Sequence, residues 1–112
     1  MPVTPLTSLD EFERAIAQER PVVICFCATW ANLCRTIAPV FERLSELPEF
    51  SGTVGFHSVD VDEAYDVVQK AGVGPVPAFV AFRGGSRLAE TVAPSPEALR
   101  ELIGGVGAMG PS

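Results

Sequence analysis

The sequence predicts an α/β domain, a mixed central sheet of four to five strands flanked on both faces by about four helices. Three observations predict it. The chain has 112 residues, 47% of them apolar, which suits one domain around one core. Residues 22–28, VVICFCA, are apolar throughout and rich in β-branched side chains, as in a strand buried on both faces of a parallel sheet. Gly84-Gly85 lies between two strand-like segments and marks a hairpin turn. A strand–helix–strand crossover followed by a hairpin gives a mixed sheet with helices on both faces.

Each element follows from local signals. Ser8 and Glu11 fit a capping box, and Leu9, Phe12 and Ile16 recur at helical spacing, so a helix is expected over about 9–19 with room for a short strand before it. The strand 22–28 follows Pro21. A helix over about 32–47 carries Ile37, Phe41 and Leu44 on its inner stripe, with Pro39 inside it as a source of a kink. Residues 53–61 alternate as a strand, and 62–71 form a short helix closed by Gly72. Strands are expected over 77–83 and 87–92, on either side of the Gly-Gly turn. Ser95 caps a last helix with Pro96 in its first turn and Leu99, Leu102 and Ile103 on one face. From Gly104 the chain reads as a flexible tail, residues 104–112. No repeat, linker or second domain interrupts 1–112.

Composition excludes several function classes. The net charge is −6 and the basic residues form no cluster, which argues against nucleic-acid binding. The longest apolar stretch, Pro21 to Trp30 with only Thr29 polar, is roughly half the length of a membrane-spanning helix, so no membrane partner is expected. The N-terminus has neither a basic region nor an apolar core of the secretory type. Three Cys without a framework of spacings argue against a disulfide scaffold, and a cytoplasmic location is the simplest expectation. Cys25, Cys27 and Cys34 with His57 match no zinc template, so no metal and no cofactor are expected. His57 alone reads as a strand residue satisfied by its neighbours.

The chemistry centres on residues 27–36, CATWANLCRT. An apolar strand enters this stretch and a helix leaves it. Together with VDVDEAYDVVQKAGV and VPAFVAFRGG, it resembles the thioredoxin family over about residues 7–103. The resemblance implies the thioredoxin fold, a single domain, and disulfide exchange with protein substrates by two Cys at the start of the long helix. The first Cys is an exposed thiolate favoured by the helix terminus, and the second resolves the mixed disulfide.

Carried over position by position, the resemblance puts Ala31 where the nucleophilic Cys stands and Cys34 where the resolving Cys stands. Asn32 and Leu33 replace Gly-Pro. Cys25 falls on the buried acid, Ser58 on its facing Lys or Glu, and Cys27 on an upstream aromatic position. Trp30 and the cis-proline position, Pro77 after Val76, are retained, and Ala93 replaces a late Gly. Loss of the acid and of Gly-Pro together with the nucleophile favours inherited divergence over a single exchange. Cys34 reads either as a working thiol or as a small buried hydrophobe. Cys25 and Cys27 read as strand filler, with a close, reduced, unbonded Cys25–Cys34 pair as the sharper expectation. A Cys25–Cys27 bond is geometrically poor.

Three functions stay open. The first is an atypical thioredoxin-like protein that binds extended peptide or protein partners across Trp30, Asn32, Leu33, Val76, Pro77 and Ala93, with at most single-thiol chemistry at Cys34. The second is a thiol–disulfide oxidoreductase in which Ala31 stands for a Cys. The third is a non-redox scaffold module. The expected partner is a protein or peptide, including a disulfide-containing protein, and the expected assembly is a monomer or weak homodimer.

Overall fold

The computed structural model describes residues 3–109. Five strands form one sheet: β1 (Val3–Pro5), β2 (Val22–Cys27), β3 (Gly55–Asp60), β4 (Ala78–Arg83) and β5 (Ser86–Val92). Their spatial order is β1-β3-β2-β4-β5. β1, β3 and β2 run parallel, while β4 is antiparallel to both β2 and β5. Strand β2 is therefore central, flanked by β3 and β4, and its five residues Val22 to Phe26 are buried. This explains its uninterrupted apolar run: both faces meet helices.

Five helices cover the sheet: α1 (Leu9–Ile16), α2 (Asn32–Glu46), α3 (Pro48–Ser51), α4 (Tyr65–Ala71) and α5 (Pro96–Gly107). Alternation along β2 divides the core in two. Val23 and Cys25 pack with Ile37, Phe41, Phe79, Leu99 and Ile103 on one face. Val22, Ile24 and Phe26 pack with Phe12, Ala15, Val59 and Val67 on the other. Because side chains alternate along a strand, a pair two residues apart shares a face. Cys25 thus belongs to the layer beneath α2.

Local signals account for most boundaries. The Ser8 hydroxyl accepts from the Glu11 N–H at 3.1 Å. Glu11 returns the bond one residue earlier than expected, its Oε1 accepting from the Thr7 N–H at 2.7 Å and the Thr7 hydroxyl at 2.9 Å. These bonds hold the Glu11 carboxyl below the usual range. At the hairpin, Gly84 and Gly85 have φ of 58° and 84°, the left-handed pair a two-residue turn needs. Their N–H groups donate to the Gln18 and Ile16 carbonyls at 2.8 Å, tying the turn to the end of α1.

Several expectations need correction. α1 ends at Ile16, and α4 starts at Tyr65 because residues 61–63 form a turn in which the Asp62 N–H donates to Asp60 Oδ1 at 2.9 Å. Among the described residues the about four expected helices are joined by a short α3, which Pro48 opens after Leu47 leaves helical geometry. The largest difference is at the C-terminus. The tail expected from Gly104 is helix to Gly107, and Val106 is buried in the layer with Ile103 and Val54. Residues 110–112 of the expected tail lie outside the described residues.

Candidate functional site

Strand β2 delivers the chain to the tip of α2. Ala31 is the N-cap residue of α2, in extended geometry, and no side chain caps the helix there. Its carbonyl accepts from the Arg35 N–H at 3.1 Å, while its own N–H donates to the Ala28 carbonyl at 3.2 Å. The free N–H groups of the first turn therefore point at a methyl group instead of a thiolate. Asn32 opens the helix and accepts from the Arg35 guanidinium. Leu33 is 60% exposed and Trp30 67% exposed, both large apolar groups left in solvent. The Trp30 indole N–H donates to Asp62 Oδ2 at 2.9 Å, which fixes the ring beside the tip.

One turn into α2, Cys34 is buried, and its Sγ accepts from the Ala28 N–H at 3.4 Å. Cys25 is also buried, on the α2 face of β2. The sulfur in contact with Cys25 is that of Cys27, at 3.3 Å. Cys34 in turn has Cys27 as its thiol neighbour. All three cysteines are free. The expected reduced, unbonded state of Cys25 and Cys34 holds, and the sulfur within hydrogen-bond distance of Cys25 is that of Cys27. The reason is the strand itself: Cys25 and Cys27 are two residues apart and share one face. At 3.3 Å their sulfurs stand far outside the roughly 2.05 Å of a bond.

This packing sets the thiol electrostatics. Burial, with the Cys27 thiol next, pushes Cys34 up to about 11, against the opposing Ala28 N–H. Hydrogen bonding to Cys25, followed by burial, pushes Cys27 far up as well. A pocket of about 420 Å³ opens beside the thiols, lined by Cys27, Cys34, Arg35, Ala38, Ser58 and Asp60. Ser58 therefore stands near the thiols, yet it brings a hydroxyl where an ionisable group would be needed to move protons.

The remaining site residues lie on the loop that leads into β4 and on the loop after β5. The Val76–Pro77 peptide is cis, and Pro77 is buried. The Ala93 N–H donates to the Pro77 carbonyl at 2.8 Å. Ala93 has φ 48°, a left-handed conformation that a methyl side chain rarely adopts and glycine adopts freely. A small cleft of about 90 Å³ brings Leu33, Ile37, Pro77, Ala93 and Pro94 together. No group of His, Cys, Asp or Glu among the described residues could hold a metal ion.

A helix tip after the central strand, a buried Cys one turn in, and a cis-proline loop opposite are the geometry that a family comparison must explain. The thioredoxin family model matches residues 3–104. The chain belongs to the thioredoxin family. It is 38% identical over 101 residues to a thioredoxin of Malassezia sympodialis, covering 90% of this chain and 95% of that protein. It is 39% identical over 102 residues to thioredoxin-1 of Saccharomyces cerevisiae, with the same coverage. The crystal structure of the Malassezia sympodialis thioredoxin superposes with a TM-score of 0.90 at 36% identity, covering 94% of this chain and 90% of that one. A Plasmodium falciparum thioredoxin superposes with a TM-score of 0.82 at 33% identity, covering 90% and 96%.

Two residues of this thioredoxin-family site escape a reading by motif. Asp62 anchors Trp30, but its segment reads as the start of a helix, so no role was visible for it. Cys27 reads as strand filler, although the alternation of β2 already places it on the face of Cys25. No helix of the described residues is long and apolar enough to cross a membrane.

Proposed function

We propose that this chain is an atypical thioredoxin-like protein without two-cysteine turnover, which binds extended peptide or protein segments across Trp30, Leu33, Val76, Pro77 and Ala93. The observation that carries this reading is the N-cap of α2, where Ala31 offers no nucleophile and Cys34 lies buried one turn away. Thiol–disulfide exchange starts with attack by a thiolate. The Cys34 thiolate could attack a substrate disulfide once, forming a mixed disulfide and releasing one thiolate of the substrate. With no thiol at position 31, the family's two-cysteine reaction stops at that adduct.

The binding half rests on Val76. Neither its N–H nor its carbonyl has a partner among the described residues, so both are free to pair with an extended backbone. The exposed Trp30 and Leu33 supply apolar contact on either side of Ala31. A cytoplasmic location and a monomeric or weakly dimeric state complete the reading.

Insulin disulfide reduction with a thiol reductant tests the chemical half: the rate with this protein is expected near background, and robust catalysis would overturn the reading. The fluorescence of Trp30, the sole Trp, tests the binding half. Titration with a carboxymethylated insulin B chain should give a saturable change that Val76→Pro abolishes by removing the backbone N–H. An absent or unsaturable change would remove the peptide-binding claim. The names of the relatives favour a second reading, a thiol–disulfide oxidoreductase in which Ala31 stands for a native Cys. The sequence of the native gene separates the two. A scaffold with inert thiols is separated by the labelling described below.

A further inference from the structure

The opposite end of the sheet carries a feature that the thiol site does not use. Arg20 precedes β2, and His57 sits on β3 opposite Ile24 of β2. Gly55 lies between them. A Cβ there would stand 2.9 Å from Val22 Cγ1, 3.3 Å from Arg20 Nη2 and 3.7 Å from His57 Nε2. The two basic side chains therefore border one spot, which a glycine leaves open. Around it a pocket of about 150 Å³ is lined by Thr4, Arg20, Ser45, Ser51, Gly55 and His57, with no carboxylate.

Several polar groups of this pocket have no partner among the described residues, although His57 also has a backbone hydrogen bond to Thr4. His57 Nδ1 is buried without a hydrogen-bond partner. A buried polar atom left unpaired is costly, so Nδ1 favours a partner. No described ion pair or hydrogen bond engages Arg20, although the chain carries an excess of acids. The hydroxyls of Thr4 and Ser51 make no hydrogen bond among the described residues. Ser45 differs: its hydroxyl donates to the Glu42 carbonyl at 2.6 Å and offers only lone pairs.

We propose that this pocket binds a small tetrahedral oxyanion of the phosphate or sulfate type, held by the Arg20 guanidinium and the His57 imidazolium. The guanidinium supplies paired donors, and an imidazolium donates from both ring nitrogens, including Nε2, the one that borders the spot shared with Arg20. Thr4 and Ser51 hydroxyls can complete the shell. Without an anion, burial first and Arg20 as a smaller cause hold His57 below its usual range, while a backbone bond to Thr4 opposes them. A bound dianion reverses the sign by favouring the charged ring.

The test uses the imidazole NMR signals of His57, the sole His. Its titration is followed in sodium sulfate and in sodium chloride at matched ionic strength, sulfate keeping its charge across the range. Sulfate is expected to raise the His57 pKa saturably, by about one unit, which by linkage is about tenfold tighter binding to the charged ring. Arg20→Gln should remove at least most of that rise, and Arg20→Lys should keep part of it. Arg14→Gln, at a residue paired with Asp10 and not part of the pocket lining, should leave it intact. A parallel titration with inorganic phosphate at fixed pH distinguishes the two anions. Identical titrations in sulfate and chloride, or an unchanged rise in Arg20→Gln, would overturn the proposal.

Discussion

A single substituted atom group decides the chemistry at Ala31, but the thiols behind it decide what is left. Cys34 is pushed up to about 11 by burial, so only about one molecule in 10⁴ carries its thiolate at pH 7. Alkylation of Cys34 by iodoacetamide in the folded protein should be slow at neutral pH and rise about tenfold per pH unit. Fast labelling at pH 7 would show an accessible, activated thiol, and no labelling even near pH 11 would favour inert filler. The same shift affects stability. The folded protein holds this proton more tightly than the unfolded chain, whose thiol titrates near the ordinary value of 9.0. Stability from Cys34 is therefore full below pH 9 and declines as pH rises through about 11, and Cys34→Ala should remove that share while the share from Cys27 remains. Restoring Ala31→Cys should recover part of the insulin-reducing activity, because the helix terminus that favours a thiolate remains. Adding Cys25→Asp should raise the rate further, by roughly the 10²-fold at the low end of general-base effects. Equal rates of the single and double variants would overturn the proton-transfer role of a carboxylate at position 25. The positions of Ala31, Cys34, Trp30 and Pro77 were legible because a motif fixes them along the chain. The contact of Cys27 and the anchor from Asp62 were not, because they depend on which side chains the folded strands bring face to face.

Elements follow the local signals wherever a side chain closes a backbone group. Ser8 and Ser95 cap α1 and α5 through bonds of 3.1 Å each, to the N–H groups of Glu11 and Ala98. Gly72 ends α4 at φ 71° as the sequence implies. α2 is the exception, a 15-residue helix whose N-cap is Ala, a poor capping residue. It also passes through Pro39, which leaves the Arg35 carbonyl without its helical donor. Its place is held by burial of Cys34, Ile37, Phe41 and Leu44 against the sheet. Capping α2 should then add stability that function in this family does not usually allow at that position. Ala31→Ser is expected to stabilise the protein by about 1 kcal/mol, read from chemical denaturation. No change, with the hydroxyl accessible, would mean that the first-turn N–H groups are already satisfied by solvent. The four-residue α3 was not legible for a different reason. Pro48-Glu49-Phe50-Ser51 is too short for periodicity, and only the burial of Phe50 explains why the chain turns there.

At the scale of the whole molecule, the two faces of the sheet are closed by different means. The face under α1 and α4 is sealed by Phe12, whose ring meets Phe82 edge-on at 5.6 Å. The face under α2 is sealed by Phe41, tilted against Phe79 at 5.2 Å, and by the length of α5. The glycine-rich stretch GGVGAMG carries few helix formers, so by propensity it reads as a tail. Tertiary packing overrides that propensity. Val106 is 4% exposed in the core layer, and at Gly107 a Cβ would stand 3.2 Å from Val54 Cγ2. Gly107 thus lets the last turn of α5 approach Val54, just before β3, closely, while Val106 supplies the apolar anchor. Burial of a valine side chain is worth roughly 1.5–3 kcal/mol, so Val106→Ala should lower stability by about 2 kcal/mol. A chain ending at Ile103 should lose more, because the α5 carbonyls at 100–103 also lose their donors. Gly107→Ala should cost less than Val106→Ala, since only a few tenths of an ångström separate its Cβ from ordinary contact with Val54. Urea denaturation of the three variants orders them. If Val106→Ala and the truncated chain were as stable as the parent, the last turn of α5 would contribute nothing, and residues 104–109 would behave as the loose segment that their composition suggests.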